Sequence, residues 1–403
     1  MLYDNPFIHM TPFFPYETEE MEDLAVRVMQ DSAELGGKIH PISQKGIIKF
    51  LRIINSYYSN RIEGNSTHPA DIERAMNNDY SADSEKRDLQ MESRIHVEVQ
   101  EYIEKILEKE AHDICSPEFL TFLHKMFYER LPHALRYSED KEKKEKAEVF
   151  PGKVRDREVV VGNHIPPASH ALSGFLHKFR DIYHTDSLHG IKKILGAAGS
   201  HHRLLWIHPF LDGNGRIARL FTDTFMKSAV KGYGLWTISR GFARNRDRYM
   251  EKLSYADSKR QGNFDGRGCL SQKGLNDFCM FFLETCLDQI EFMGSLLEFE
   301  GFADRLKGYA ALRHEKMIPG KITLRKESFY LLKEAFLCGE FSRGEVARLT
   351  GLPERTARNV LKNLIDDGLL QSHTPKGPVH LNIPSHAAGF LFPGLFPEYF
   401  PKK

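Results

Sequence analysis

The sequence predicts a mainly α-helical protein that carries one short β-hairpin and a separate C-terminal domain of helices and strands. Over most of the chain, apolar residues recur at three- and four-residue spacing, which is the pattern of amphipathic helices. A β-branched run at residues 158–161 interrupts this pattern, and a glycine follows it. With 403 residues, the chain is long enough for two or three domains.

Composition narrows the class of protein. Apolar residues make up 41% of the chain and charged residues 28%, as in soluble globular proteins. The net charge of +1 gives no chain-wide field that would attract nucleic acid or a membrane. The 5 cysteines form no C-x-x-C pair, and neither a signal peptide nor an apolar run of ~20 residues is found. We therefore expect a cytoplasmic protein that does not associate with membranes.

Residues 1–110 predict an N-terminal helical region. Residues 1–16 are rich in aromatic side chains and proline and should lie irregularly on the body. Helical patterns follow at 17–35, 47–64, 85–110 and 117–131, and glycines end the first two. The charge run at 139–148 predicts a solvated loop, and its mixed signs make it a poor nucleic-acid patch.

Glu63 is unusually placed for a helix end. A carboxylate in the last turn faces the negative end of the helix dipole, which costs from a few tenths to about 1 kcal/mol. Taken alone, Glu63 is best explained as a solvated side chain whose cost the fold tolerates.

Residues 150–167 predict a short β-hairpin. Residues 158–161 form a β-branched extended run, Gly162 and Asn163 supply a turn, and 164–167 form a second extended piece. In an otherwise helical chain, its unpaired edge could accept an extended peptide as an added strand. The alternative is a structural hairpin that only covers the core.

The central feature is the stretch 207–219, which reads I-H-P-F-L-D-G-N-G-R-I-A-R. A helix predicted over 188–207 should stop at His208, because Pro209 disfavours the helical region in the residue before it. Apolar periodicity resumes near Asn214, so a second helix begins there. Among these residues, His208 is the natural base.

The residues of this turn indicate phosphate or phosphoryl chemistry. Gly213 and Gly215 allow a tight turn and bring backbone N–H groups to a helix N-terminus, where the dipole favours an anion. Arg216 and Arg219 share a face and could act as a cationic fork. Asp212 is the only carboxylate in the stretch, which suffices for one Mg²⁺ whose other ligands are water and phosphate oxygens. The turn differs from a Walker P-loop, since no Gly-Lys-Ser/Thr follows the glycines.

Residues 208–219 match H-P-F-x-D/E-G-N-G-R-x-x-R at every fixed position, and by this motif the sequence resembles the Fic family. The resemblance implies a Fic-type helical catalytic core, here at 111–298. It also implies a protein adenylyltransferase (AMPylator), which transfers AMP from ATP to a Ser, Thr or Tyr hydroxyl of a protein and releases pyrophosphate. The implied roles are His208 as base, Asp212 as the Mg²⁺ ligand, Gly213, Asn214, Gly215 and Arg216 around the phosphates, and Arg219 at the γ-phosphate.

A second resemblance concerns Glu63. Residues 59–64, S-N-R-I-E-G, are similar to the Fic inhibitory motif S-x-x-x-E-G/N, in which Ser59 is the first residue and Glu63 the fifth. The location fits the class whose inhibitory helix, here 47–64, precedes the core. The family then implies that Glu63 pairs with Arg219 and occupies the place of the ATP γ-phosphate.

The predicted hairpin and base pocket also have family counterparts. The hairpin resembles the Fic flap, which aligns the target segment over the active site. The flap residues here are Val159, Val160, Val161 and Gly162. Family members carry aromatic and amide residues that contact adenine near the helix that opens at 245–250. The candidate base contacts here are Tyr249, Met250 and Asp257, of which Met250 and Asp257 depart from the expected Tyr and Asn.

His201 and His202 precede the motif on the incoming helix. They lack the H-E-x-x-H spacing and the nearby cysteine pair of a zinc site, and we interpret them as packed or surface histidines.

The C-terminal quarter predicts a separate unit. After a loop at 261–274 and another helix, residues 299–325 form a helical connector, and 326–403 resemble a winged helix-turn-helix with an apolar tail. The outer face of its second helix carries three cations, where a DNA reader would place them: Arg355, Arg358 and Lys362. Protein contact or dimerisation is the favoured alternative. The tail at 390–400 is too apolar to be free and should dock on the body or on a second subunit.

The expected partners are ATP, Mg²⁺ and an unidentified target protein, with the chain itself as a second target. A homodimer is a further expectation, and DNA is less favoured. Fic folds also support UMP, phosphocholine or phosphate transfer, and a glutamate-gated member can remove AMP. Outside the enzymes, the chain could be a DNA-binding regulator with a nucleotide-sensing Fic core.

Overall fold

A computed structural model describes residues 3–65, 67–140 and 145–397 of the chain. These residues are mainly helical, with few and short strands, which confirms the predicted fold class. None of the helices in the described ranges combines the length and apolar character that a membrane crossing requires.

The N-terminal region contains five helices in the part of the chain that the structure describes. Its helices are α1 Pro6–His9, α2 Glu19–Gly37, α3 Pro41–Ile62, α4 Pro69–Met76 and α5 Ser84–Leu107. Side-chain oxygens set several of their starts: Thr18 accepts a hydrogen bond from the Met21 N–H at α2, and Asp83 does the same at α5. The predicted helices therefore exist, and α3 begins six residues before the predicted start at 47.

The region around the motif contains seven α-helices and a short hairpin in the described residues. They are α6 Pro117–Tyr128, α7 Leu172–Tyr183, α8 Ile191–Ile207, α9 Asn214–Ala229, α10 Ile238–Arg244, α11 Arg246–Asp257 and α12 Gln272–Leu296. The hairpin pairs β1 Tyr137–Asp140 with β2 Glu145–Glu148, antiparallel, with Tyr137 opposite Glu148.

This hairpin corrects the solvated loop predicted at 139–148, although residues 141–144 lie outside the described ranges. A run of mixed charge carries no net repulsion, so its two halves can pair through their backbones. The predicted hairpin at 158–165 is also different, because only Val161 and His164 form a bridge there. Glu158 instead accepts hydrogen bonds from the N–H and hydroxyl of Ser169, which ties the first half to the start of α7 rather than to a second strand.

The winged helix at 326–403 stays a prediction, and the described residues of the C-terminal quarter form helices and short strands. The helices are α13 Phe299–His314, α14 Ser328–Leu337, α15 Val346–Thr350, α16 Glu354–Asp366 and α17 Ser385–Leu391, and the strands are β3 Glu340–Phe341, β4 Leu370–Gln371 and β5 Val379–Leu381. The strands form one antiparallel sheet in the order β3-β5-β4. The predicted connector contains α13, which a buried ion pair of Arg313 with Asp367 ties to the end of α16.

Helix α3 is shared between the motif region and the C-terminal elements. Near its start, the Ser43 hydroxyl donates to the carbonyl oxygens of Ala335 and Phe336 at 3.0 and 2.7 Å. Near its end, the Tyr58 hydroxyl donates to the Leu395 carbonyl at 2.7 Å. The apolar tail therefore docks on the body, as far as the described residues extend, and it does so on the helix that carries Glu63.

Gly46 lets β5 approach α3, since a Cβ there would lie 2.4 Å from the Leu381 carbonyl oxygen. We predict that Gly46→Ala destabilises the protein by about 1–3 kcal/mol through this overlap. Urea unfolding measures the loss. The matched control is Gly294→Ala, where nothing lies within 4 Å of the new methyl group. Equal stability of both variants would contradict the close packing of β5 on α3.

Candidate active site

The turn between α8 and α9 is held by left-handed backbone and by one side-chain amide. α8 ends at His208, where the following proline predicts the helix to stop, and His208 has a left-handed φ of 50°. Gly213 precedes α9 with a φ of 81°. The Asn214 amide donates to the Phe210 carbonyl at 2.8 Å and accepts from the Phe210 N–H at 2.9 Å. The Asn214 side chain thus closes the turn, and any phosphate contact from this residue falls to its backbone.

His208 faces an open pocket of about 740 Å³. Burial, followed by the charges of His164 and Arg155, lowers the pKa of the His208 imidazole to about 4, despite the opposing effect of Asp212. The imidazole is therefore neutral at pH 7, the form in which it can accept a proton.

Asp212 is fixed by a stack of aromatic rings. The Tyr128 hydroxyl donates to Asp212 Oδ2 at 2.7 Å. The Tyr128 ring stacks on His124 at 4.3 Å, and His124 stacks on Phe210 at 4.1 Å. Gly213 leaves room for this contact, since a Cβ there would lie 2.6 Å from the Tyr128 oxygen. The hydrogen bond uses one of the two carboxylate oxygens of Asp212.

The donor set at Asp212 fits a cation that shares its coordination with substrate. In the described ranges, no group of three or more His, Cys, Asp or Glu side chains could hold a metal ion. A cation at Asp212 would therefore take its other ligands from water and phosphate oxygens, which is a coordination that Mg²⁺ accepts.

The two arginines of α9 bind different carboxylates. Arg216 forms an ion pair with Glu92 of α5 and lies 5.5 Å from the ring centre of Phe127. Arg219 forms an ion pair with Glu63 of α3 at 2.5 Å. In this structure the two guanidinium groups do not act as one cationic fork, because carboxylates reach them from two different helices.

Glu63 lies against the first turn of α9. Arg219 is 2% exposed, and it donates to the Ser59 hydroxyl at 2.9 Å and to the Ser59 carbonyl at 3.1 Å as well as to Glu63. A Cβ on Gly215 would lie 2.3 Å from Glu63 Oε1, so the glycine admits the carboxylate. The structure thus brings together Ser59, Glu63 and Arg219, three residues that the sequence singled out.

The charge of Glu63 is stabilised by three cations. Burial acts to raise its pKa, but Arg219, then Arg216 and Arg246 outweigh burial and hold the pKa below its usual value. Arg246 also donates to the Ile62 carbonyl at 3.0 Å, which satisfies one of the carbonyls left unpaired at the end of α3. Glu63 is therefore ionised at neutral pH.

The three residues predicted to contact the nucleotide base all line the pocket, but they differ in exposure and in hydrogen-bond partners. Tyr249 is only 1% exposed, and its hydroxyl lies 2.8 Å from His201 Nε2. Asp257 lies 3.1 Å from His202 Nε2, whereas Met250 is 38% exposed. Both histidines are packed in the core, one of the two interpretations given for them.

The predicted flap borders the same pocket as an exposed turn. Gly162 has a φ of 58°, and Val160 and Val161 are 71% and 40% exposed. His164 at its far side lies 2.8 Å from the Trp206 carbonyl of α8, which holds the turn beside the motif. By contrast, the three cations of α16 are exposed and line none of this pocket: Arg355, Arg358 and Lys362.

Four residues that support the site were missed by the sequence interpretation: Tyr128, Glu92, Arg246 and Arg155. Arg155 donates to the carbonyl of His208 at 2.8 Å. All four lie far from the motif in sequence and belong to no recognisable pattern. Partial signals exist for two of them. Arg155 precedes the segment predicted as the flap, and Arg246 lies in the stretch 245–250, near which the base contacts are predicted.

Comparisons with known proteins agree with this architecture. Residues 114–226 match the Fic/DOC family model, so the chain contains a Fic domain. Among curated proteins it is similar to the "Protein adenylyltransferase Fic" of Drosophila willistoni, with 33% identity over 106 residues, which is 26% of this chain and 20% of that protein. The chain thus spans about a fifth of the length of the curated relatives it matches.

Two solved structures share the fold. A Fic family protein from Desulfovibrio desulfuricans G20 aligns with a TM-score of 0.52 and 16% identity, covering 91% of this chain and 98% of that one. A Fic domain containing signaling protein from Bacteroides thetaiotaomicron VPI-5482 aligns with a TM-score of 0.50 and 15% identity, covering 67% of this chain and 95% of that one. At these identities the likeness concerns the fold.

The Glu63 ion pair should make stability depend on pH. Because the folded pKa of Glu63 lies below its unfolded value, its contribution is fully present above the unfolded pKa and is lost as the pH falls through the folded pKa. Relative to Glu63→Gln, the protein should be more stable at pH 7, and this difference should shrink below about pH 4.5. Urea unfolding of both proteins between pH 7 and pH 3.5 measures it. The exposed Glu110→Gln serves as control, and a difference that stays constant with pH would refute the ion-pair interpretation.

Proposed function

We propose that the protein is a Fic-type protein adenylyltransferase, which transfers AMP from ATP to a Ser, Thr or Tyr hydroxyl of a protein and is autoinhibited by Glu63. The observation that carries the proposal is the Glu63–Arg219 ion pair at the start of α9, in the pocket that also exposes the neutral imidazole of His208. The Fic domain and the adenylyltransferase name of its relatives support the same reaction.

In this mechanism, His208 takes the proton of the attacking hydroxyl. The hydroxyl oxygen forms a bond to the α-phosphorus, the bond to the β-phosphate oxygen breaks, and pyrophosphate leaves. The N–H groups of Gly213 to Gly215 lie at the positive end of α9 and would bind the phosphates together with Arg216. Fixed donors of this kind stabilise charge in the transition state without reorganising.

Asp212, which the hydrogen bond from Tyr128 holds in place, would bind Mg²⁺. Bound there, the ion would supply neutralisation of phosphate charge. The described side chains provide one carboxylate at this point, so ion and nucleotide should bind together.

Autoinhibition follows from competition for Arg219. If Arg219 holds the γ-phosphate during transfer, the carboxylate of Glu63 and the phosphate need the same guanidinium group. The approach of Glu63 to Gly215 also fills the space beside the backbone N–H groups of the helix start. ATP would then bind productively only when Glu63 moves away.

Glu63→Gly should raise self-modification by labelled ATP by roughly tenfold or more, which corresponds to a closed state favoured by at least about 1.4 kcal/mol. Autoradiography of the purified protein gives the rate. Glu63→Gly combined with His208→Ala provides the background. An unchanged rate in Glu63→Gly would remove the inhibitory role.

In the Glu63→Gly protein, His208→Ala should lower transfer by about 10²–10⁴-fold, because the base is lost while the phosphate contacts remain. Calorimetric titration with ATP should give an affinity within a fewfold of the parent. Mass spectrometry of the adduct distinguishes AMP from UMP or phosphate, and release of AMP from a modified protein tests the reverse reaction. Transfer that survives in His208→Ala would require another base.

A second candidate function is DNA-dependent regulation through the C-terminal elements. The observation that favours it is that these elements pack directly on α3, the helix that ends at Glu63. The exposed cations Arg355, Arg358 and Lys362 on α16 provide the surface for a DNA backbone.

If this surface binds DNA, replacing its three cations by alanine should strongly weaken the mobility shift of a random-sequence duplex pool. The number of counterions released on binding, measured from the salt dependence of the affinity, should fall by up to about three. Replacing three exposed lysines elsewhere, Lys86, Lys105 and Lys307, provides the charge-matched control. A shift that responds equally to both triple variants, or no shift at all, would favour a protein-contact role for α16.

A further inference from the structure

Arg155 joins the motif turn to the exposed segment that precedes α7. Its guanidinium donates to the carbonyl oxygens of His208 at 2.8 Å, Arg157 at 2.9 Å and Pro167 at 2.6 Å. Its backbone N–H donates to the Pro209 carbonyl at 2.9 Å. One side chain therefore bonds three separate points of the backbone.

The burial of this arginine makes these bonds necessary. The Arg155 side chain is 0% exposed, and the carboxylate paired with it, Glu158, lies 3.7 Å away with 46% of its side chain exposed. Burial lowers the pKa of Arg155. A buried guanidinium is tolerated where its N–H groups find acceptors, and here those acceptors are mainly main-chain carbonyls.

The three carbonyls that accept from Arg155 belong to His208 and to the two ends of the exposed turn. His208 adopts the left-handed conformation, so the orientation of its peptide planes determines where its imidazole points. Arg157 and Pro167 flank the exposed turn that carries Val160 and Val161. The guanidinium fork therefore sets the distance between the base and both ends of that turn.

We propose that Arg155 is a positioning residue that fixes His208 relative to the segment 157–167, and so determines how an extended target segment presents its hydroxyl to the base. The proposal rests on the proposed function, in which that turn docks the target. Arginine is required because its planar fork reaches several acceptors at once, whereas a lysine ammonium is a point donor.

The first test needs no enzymatic activity. In Arg155→Lys, hydrogen exchange should accelerate in peptides covering 156–168 and 205–212 and stay unchanged in α12. Unchanged exchange in both segments would overturn the proposal, whether or not the protein transfers AMP.

The second test uses self-modification with labelled ATP in the Glu63→Gly background. Arg155→Lys and Arg155→Gln should lower the rate at saturating ATP, by up to roughly 10²-fold for a misplaced reacting group, while KM for ATP and calorimetric ATP affinity stay within about twofold. Arg155→Lys keeps the buried charge and decides the question if Arg155→Gln does not fold.

The matched control is Arg305→Gln, since Arg305 also bonds two main-chain carbonyls, those of Leu391 and Leu296, but outside the pocket. It should lower Tm without changing the rate per folded molecule. Equal rate losses in both variants at equal Tm would reduce Arg155 to a structural role and overturn the proposal. If the Glu63→Gly parent itself transfers nothing while exchange at 156–168 responds, the proposed function fails rather than the positioning contact.

Discussion

The contact on which the site depends is the ion pair between Glu63 and Arg219. Glu63 ends α3, where the dipole of its own helix disfavours a negative charge. The same carboxylate lies against Gly215 in the first turn of α9, where the dipole of the second helix favours it. A residue that is unfavourable by the rules of its own helix is thus stabilised by the start of another. The buried guanidinium of Arg219 gains a negative counter-charge beside its two hydrogen bonds to Ser59.

Because this contact is made by the last turn of α3, everything that holds α3 also holds Glu63. The helix packs on α5 and on α10. Its Ser43 and Gly46 contact the C-terminal elements, and its Tyr58 contacts the apolar tail. Arg246, at the start of α11, donates to one of the last carbonyls of α3, that of Ile62. The contacts of the C-terminal elements with α3 therefore belong to the packing that fixes the position of Glu63.

Local backbone preferences explain which elements the sequence predicted correctly and which it did not. Proline at 209 and glycine at 213 decide the backbone of the motif turn, and both effects act within one or two residues, so the end of α8 and the start of α9 are predictable. The β-branched run at 158–161 misled because β propensity reports a fit to a pleated surface, and here no second strand supplies one. The mixed charges at 139–148 predicted a loop where the structure has a hairpin, since strand pairing there depends on the backbone rather than on the side chains.

The sequence by itself determined the helical class, the end of α8 and the start of α9, because these follow from residue types at short spacing, and it predicted a phosphate-binding turn between the two helices. The expectation that Glu63 pairs with Arg219 came from the resemblance to the Fic inhibitory motif. The tertiary structure alone decided that Arg216 pairs with Glu92, that Tyr128 holds Asp212 and that Arg155 bonds the carbonyl of His208. The physical reason is distance along the chain: these partners lie up to 124 residues apart. Only the packing of helices brings such groups within the few ångströms over which a hydrogen bond or an ion pair acts.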